Sequence, residues 1–392
     1  MKINLLLYSH DWFPLVGGVQ TVTLSLATGL AEWGKNHPNE SFEVTFVTQT
    51  PANGMDDSKF PFRVVRRPKL SELIGHIRRA DVVHLAGPSL APQALAWLCR
   101  TPTVIEHHGY QSVCPNGLLL YEPQHNICPG HFAKGRYRKC LECNKKDLGW
   151  RGSLRNLVTT FPRRWLCTRA AGNIAVTDHV AGRIALPNTR TIYHGIENPL
   201  GLQARAIAMD GNDLSLGYVG RLTREKGLPL LLNAADQLKK DGIRFHLTFI
   251  GDGPQRNELE TSVQRLDLAN RVTFLGELRG SAFELALRNI QVVVMPSQCE
   301  ETAGLAAMEQ MIRGGVVVVS DVGGLSEVVG GAGLKFPLND SAALAANLHQ
   351  IHENSQLMQS LGLAAYSRAA ELFNLDSMIQ KHADLYEEVM SH

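Results

Sequence analysis

Val292-Val293-Val294-Met295-Pro296-Ser297-Gln298-Cys299-Glu300-Glu301-Thr302-Ala303-Gly304-Leu305-Ala306-Ala307-Met308-Glu309-Gln310-Met311 is the stretch from which the architecture can be read. Its first four residues form an apolar run rich in β-branched side chains, which predicts a buried strand, and Pro296-Ser297 ends it. Gly304 to Met311 then reads as the start of a helix. Strand, loop and helix N-terminus in that order are the unit of a doubly wound parallel sheet. Such sheets bind ligands at the carboxyl ends of their strands, where free N–H groups and the helix dipole favour a phosphate. Ala303, Gly304 and Leu305 would supply those donors. Seven residues separate Glu301 from Glu309, so one carboxylate lies on the loop and the other about a turn inside the helix. They are too far apart to share a proton, and two separate hydroxyl-recognition tasks fit better than a paired acid and base.

Two glutamates at this spacing would ordinarily mean a solvated helix face. The flanking segments change that reading. Gly314-Gly315 ends the helix, 316–319 forms a further buried strand, and Ser320-Asp321-Val322-Gly323-Gly324-Leu325-Ser326-Glu327 opens a second glycine-rich turn into a helix. Upstream, Gly217-Tyr218-Val219-Gly220-Arg221-Leu222-Thr223-Arg224-Glu225-Lys226-Gly227 also follows a strand, with Arg221 and Lys226 on a loop that leads into a helix. Both cations suit a diphosphate, because charge-assisted hydrogen bonds could hold it and offset charge that develops on it. Ile250-Gly251-Asp252-Gly253-Pro254 is a third strand-to-turn transition, read as structural. A sugar nucleotide offers two sets of vicinal hydroxyls, on the hexose and on the ribose, and so matches the two glutamates.

Outward from this region, short β-rich runs alternate with helix-length amphipathic stretches along the whole chain, which predicts an α/β protein with parallel sheets. One series occupies 3–8, 19–33, 43–48, 82–85, 91–99 and 103–106; the second begins at 214–219 and 228–240. Asn198-Pro199-Leu200-Gly201 breaks the pattern between them. At 392 residues, 44% of them hydrophobic, the chain can bury two cores. The formal net charge of +2 gives no reason to expect nucleic-acid binding. No apolar run is long enough to span a membrane, and the first strand is too short and wrongly flanked for a secretory signal. Seven cysteines without an export signal point to a reducing, cytoplasmic compartment.

The first series carries its own candidates. Asp11-Trp12-Phe13-Pro14-Leu15-Val16-Gly17-Gly18-Val19-Gln20 is a turn into a helix, and Gly17-Gly18 permits close backbone approach to a ligand. The strand at 103–106 ends in His107-His108-Gly109-Tyr110, where a histidine is well placed for polar chemistry. Cys114, Cys128, Cys140 and Cys143 follow. Cys140-Leu141-Glu142-Cys143 has knuckle spacing, so the four either complete a tetrahedral structural zinc site or are free thiols in an insertion. Four thiolates would leave no open position for catalysis. From 133 to 169 the chain has eleven Lys or Arg against Glu142 and Asp147, with Trp150, Phe161 and Trp165 interleaved. That segment is either a solvated face or a contact for an anionic or membrane-lying substrate.

In order and spacing, Gly220-Arg221…Lys226-Gly227, Gly251-Asp252-Gly253 and Pro296-Ser297…Glu301…Glu309…Gly314…Asp321…Gly323-Gly324…Glu327 resemble the family 4 glycosyltransferases. The resemblance implies the GT-B fold: two Rossmann-like domains facing each other across a cleft, with the last helix returning to the N-terminal domain. The organisation it implies is an N-terminal acceptor-side domain at 1–197 with a cysteine-containing insertion at about 110–150, a linker at 198–212, a nucleotide-sugar domain at 213–375 and a terminal helix at 376–392. By the same resemblance Arg221 and Lys226 bind the diphosphate, Glu301 the donor sugar and Glu309 the ribose. Gly17-Gly18 meets the donor phosphate, and His108 contacts the sugar near the reacting centre. A similar four-cysteine loop occurs in a subset of the family. Thr302-Ala303 departs from the usual small residue followed by phenylalanine, and Gln310 and Arg313 replace commoner small residues, which bears on donor identity.

The implied reaction moves a sugar from a nucleoside diphosphate sugar to an acceptor hydroxyl with retention and without a catalytic metal. The acceptor would be a glycan or lipid-linked glycan of cell-surface polysaccharide or glycoconjugate synthesis, with peripheral contact at the inner membrane face. Two alternatives stand beside it: a catalytically silent GT-B subunit that binds nucleotide sugar or a partner enzyme, and a sugar-nucleotide epimerase.

Overall fold

A computed structural model describes residues 1–15, 17–198 and 213–391. The expected linker therefore lies, apart from Asn198, outside the described residues. The chain forms two compact units. One comprises Met1–Gln124, Cys128–Gly195 and the chain from Asn374, and the other comprises His125–Ile127 and Ile196–Phe373.

The first unit is built on β1 (Lys2–Ser9), β2 (Ser41–Thr48), β3 (Arg63–Arg66), β4 (Val82–Ala86) and β5 (Thr103–His107). Two short strands, β6 (Leu120–Tyr121) and β7 (Asn126–Ile127), precede β8 (Gly172–Ala175) and β9 (Thr189–Thr191). Its sheet has the order β3-β2-β1-β4-β5-β8-β9, and all its pairings are parallel. The second unit carries β10 (Leu214–Val219), β11 (Phe245–Ile250), β12 (Val272–Gly276), β13 (Val292–Met295), β14 (Val316–Ser320) and β15 (Leu334–Phe336). These run β12-β11-β10-β13-β14-β15, again all parallel.

Parallel sheets are covered by helices on both faces, so their strands are apolar throughout. Val292, Val293 and Val294 of β13 and Val316 to Val319 of β14 are accordingly fully buried. In each sheet the strand order reverses beside the first strand, between β1 and β4 and between β10 and β13. Loops leaving the carboxyl ends of strands diverge there and open a crevice. The loops at 220–227 and 296–304 leave β10 and β13 at that point of the second unit.

The crossovers of the first unit include α1 (Gly18–Glu32), α2 (Leu70–Arg79), α3 (Leu90–Cys99), α4 (Tyr137–Cys167) and α5 (Asp178–Ile184). α4 is interrupted at Gly149, whose φ of 63° is not helical, so its 31 residues form two helices. Cys140 and Cys143 sit on the first of these. The Cys-x-x-Cys spacing thus falls on one helical turn. The second unit has α6 (Leu228–Lys240), α7 (Arg256–Arg265), α8 (Gly280–Arg288), α9 (Leu305–Met311), α10 (Gly323–Val329), α11 (Ser341–Glu353) and α12 (Ser355–Leu372). α13 (Leu375–Met390) belongs to the first unit, where His382 and Tyr386 are fully buried. Among the described residues no helix is long and apolar enough to cross a membrane.

Candidate functional site

At the switch point of the second unit the two loops are locked to one another. Gln298 N–H donates to the Glu225 carbonyl at 2.8 Å. Gly227 has φ 65°, and a Cβ there would lie 2.1 Å from the Pro296 carbonyl oxygen, so only glycine fits. This clasp brings Lys226 onto Glu301. Lys226 Nζ donates to Glu301 Oε1 at 2.6 Å, and Ser297 Oγ donates to the same oxygen at 2.5 Å. Burial works against the charge on Lys226, yet Glu301, Cys299 and Glu225 hold its pKa above the usual value. Burial would likewise raise the pKa of Glu301, and Lys226, Ser297 and Arg221 outweigh it and hold the carboxyl below its ordinary range. The two residues assigned separately to diphosphate and sugar are therefore one ion-paired unit, which sequence reasoning missed because they lie 75 positions apart. Arg221 differs: its side chain is 75% exposed and only 3.9 Å from Glu225 Oε1. Tyr218 steadies its loop by donating to the Arg221 carbonyl at 2.8 Å.

Two helix starts flank the Glu301 loop. Gly304, at φ 81°, caps α9, with Ala303 buried before it and Leu305 as the first helical residue. Gly324 N–H, in the first turn of α10, donates to the Glu301 carbonyl at 2.7 Å. Gly323 has φ 68°, and a Cβ would come within 2.8 Å of Glu300 Cα. Both dipoles consequently bear on one loop. Glu309 follows on α9, and burial pushes its carboxyl up to about 7, with Arg313 opposing and Glu284 reinforcing the rise. Arg313 is engaged elsewhere: its guanidinium bonds Glu284 at 2.6 and 3.3 Å and also donates to the Glu309 backbone carbonyl.

In the first unit Gly17 precedes α1 with an extended φ of 179°. Any residue adopts that conformation, and an added Cβ would meet only the flexible end of Gln20. The backbone therefore does not require glycine there, whatever role Gly17 and Gly18 play toward a ligand.

β5 ends in a buried polar group that the sequence did not disclose. Glu106 Oε2 lies 3.3 Å from Nε2 of both His84 and His108 and 4.0 Å from His382 Nε2, and Oε1 is 3.8 Å from His194 Nε2. His108 Nδ1 is 3.2 Å from His194 Nε2, and Tyr386 Oη is 2.9 Å from His84 Nδ1. Both ring nitrogens of His108 thus face protein groups, and 6% of its side chain is exposed. Burial would raise the pKa of Glu106, but His108, His84 and His382 hold it well below the usual range. Burial keeps His194 and His382 neutral at pH 7, pulling them to about 3 and about 4.

A 2-deoxystreptamine N-acetyl-D-glucosaminyltransferase of Streptomyces fradiae is 34% identical to this chain over 356 residues, covering 85% of this chain and 82% of the relative. The chain belongs to glycosyltransferase family 4. The model described as Glycosyltransferase Family 4 matches residues 16–198 and that described as Glycosyl transferases group 1 matches 203–368. A 2-deoxystreptamine glucosyltransferase of Streptomyces kanamyceticus is 30% identical over 189 residues, 44% of this chain, and the chain spans about half (48%) of that relative. The Anabaena protein HepE in complex with UDP and glucose superposes with a TM-score of 0.73 at 18% identity, covering 98% and 100% of the two chains. A sucrose-phosphate synthase from Thermosynechococcus elongatus gives 0.71 at 21% identity, covering 99% of each chain. The fold of this family 4 glycosyltransferase is GT-B.

The glycosyltransferase holds its four candidate metal ligands together without closing them. Cys114 Sγ donates to Asn116 Oδ1 at 2.9 Å, and Asn116 Nδ2 donates to Cys143 Sγ at 3.3 Å. Burial pushes Cys140 up to about 12, with Cys114, Cys128 and Cys143 adding to the rise, so all four thiols sense one another. A cation among them would relieve both effects. Among the described residues, however, the group of potential ligand atoms lying within 4.8 Å of one another is Glu106, His108 and His194, and not the cysteines.

Proposed function

We propose that this glycosyltransferase moves a sugar from a nucleoside diphosphate sugar to an acceptor hydroxyl with retention. The observation that carries this reading is the Lys226–Glu301 pair set between two helix starts at the switch point of the second unit. Lys226, Arg221 and the N–H groups of Ala303, Gly304 and Leu305 are read as the diphosphate site, where preorganised positive charge offsets that of the departing nucleotide. Glu301 is assigned to the transferred sugar and Glu309 to the ribose. His108 is assigned to hydrogen bonds with the sugar, which its ring makes by leaving one of its protein partners. The Gly17-Gly18 turn is assigned to close backbone approach to the donor phosphate. UDP is the first nucleotide to test, because similar folds hold it in HepE.

The proposed acceptor is a glycan or lipid-linked glycan, with the enzyme at work in the cytoplasm or on the inner face of the membrane. We further propose that Cys114, Cys128, Cys140 and Cys143 close on a structural zinc, four thiolates acting as ligands with no catalytic position left open. Metal analysis of the purified protein, with and without Cys140→Ser, measures it; absence of zinc overturns that assignment.

A thermal-shift series with UDP, other nucleoside diphosphates and their sugars tests the donor site. A ligand at 100 times its dissociation constant stabilises by about 2.7 kcal/mol. Glu309→Ala is expected to abolish the nucleotide shift, and Glu301→Ala to leave most of it while transfer falls by roughly a hundredfold. No shift with any nucleotide, or an unchanged shift in Glu309→Ala, refutes the assignment. Release of free nucleoside diphosphate in step with product separates a transferase from an epimerase or a silent subunit.

A further inference from the structure

Beyond its break at Gly149, α4 turns Trp150, Leu154, Val158, Phe161 and Trp165 to solvent, at 58, 40, 55, 44 and 43% exposure. At about 100° per residue these five fall within an arc of about 80° and form a single stripe. The helix packs inward through other residues, Ser153, Leu157, Thr160 and Leu166, so its own fold leaves the stripe largely uncovered, although Phe161 also meets the Phe132 and Tyr137 rings at 4.9 and 5.2 Å between centroids. Trp97 and Leu98 of α3, 46 and 68% exposed, widen it, and Trp97 meets Trp165 edge to face at 5.1 Å between centroids.

Cations border this apolar face. Arg151 and Arg155 are exposed on the adjoining arc, and the Arg169 guanidinium lies 4.8 Å over the Trp165 ring. Next to the tryptophans is a cavity of about 340 Å³ whose lining includes Gln93, Trp97, Arg100, Leu166 and Arg169. Both arginines of that lining are solvent-exposed. Large exposed indoles rimmed by guanidinium groups are the composition of an element that lies in a lipid interface, with apolar faces in the acyl boundary and cations at the phosphates.

We infer that this face of the first unit seats on an anionic lipid surface, with the cavity between Arg100 and Arg169 taking a phosphate-bearing headgroup. The alternative occupant, a second copy of the chain, is disfavoured by charge. Residues 150–169, the part of the chain beyond the break that carries the stripe, hold five arginines and no acid, so a self-paired face would oppose like charges, whereas an anionic bilayer complements them. The inference deepens the reading of a lipid-linked acceptor and takes its purpose from it, but the surface itself does not depend on the donor site.

Co-sedimentation of the full chain with vesicles of phosphatidylcholine alone, and of phosphatidylcholine with phosphatidylglycerol, tests it. Binding is expected to the anionic vesicles only and to fall steeply as salt is raised. The exposed double variant Trp150→Ser/Val158→Ser should partition about tenfold more weakly, and Arg100→Gln/Arg169→Gln should lose the preference for anionic lipid. Both variants should melt like the wild type and keep its UDP shift, which separates failure at this surface from failure of the donor-site reading. Equal binding to both vesicle types, no binding to either, or a dimer in light scattering that Trp150→Ser/Val158→Ser dissociates would each overturn the inference.

Discussion

Lys226 and Glu301 form a half-open pair in which each charge justifies the burial of the other. Breaking a buried pair is far more costly than deleting it, because a lone carboxylate stays desolvated. Lys226→Ala is therefore expected to destabilise the protein by about 3 kcal/mol, and Lys226→Ala/Glu301→Gln to recover part of the loss in chemical denaturation. Glu309 makes a different prediction. Burial pushes its carboxyl up to about 7 in the folded state, against an ordinary value of 4.5. The folded form thus holds the proton more tightly, so this group's contribution is fully present below pH 4.5 and is lost as pH rises through 7. Glu309→Gln removes that dependence. Wild type should lose stability relative to Glu309→Gln between pH 5 and pH 8, by up to about 3 kcal/mol, as read from paired melting curves.

At the scale of elements, the loops proposed for the donor are positioned by backbone fit more than by side-chain packing. Gly323 has a left-handed conformation, and a Cβ there would run into the Glu300 backbone, while its neighbour Gly324 holds the Glu301 carbonyl. Gly323→Ala should cost roughly 1–3 kcal/mol for the strained conformation and clash. It should also weaken the nucleotide shift, although glycine has no side chain with which to touch a ligand; an unchanged shift would show that α10 does not set the Glu301 loop. The departures at Thr302-Ala303, Gln310 and Arg313 divide at this scale. Arg313 is explained by Glu284 on α8, and Gln310 by its amide donating to the Ile290 carbonyl at 3.2 Å.

Across the whole molecule, α13 ties the end of the chain to the centre of the first sheet. Tyr386 reaches His84 over 302 positions, and His382 lies against Glu106. Tyr386→Phe leaves a buried ring nitrogen unsatisfied and should cost about 1–3 kcal/mol. Its denaturation midpoint should fall with the UDP shift kept, since neither Tyr386 nor His84 is assigned a contact with the nucleotide. The strand-loop-helix units proposed for the nucleotide were legible from the sequence because each is local: each turn follows its own strand, and apolar runs, glycines and charges within a dozen residues specify it. The Glu106–histidine group was not legible, since β4, β5, the turn at His194 and α13 contribute to it from four separated segments. Burial makes those histidines matter, and burial is a property of packing. The same holds for α4, where aromatic and basic residues can be counted in the chain but only the folded unit decides which face stays uncovered. Local sequence therefore determined the strand-loop-helix units and their chemistry. Tertiary structure alone decided which charges meet, because removing groups from water depends on everything packed around them.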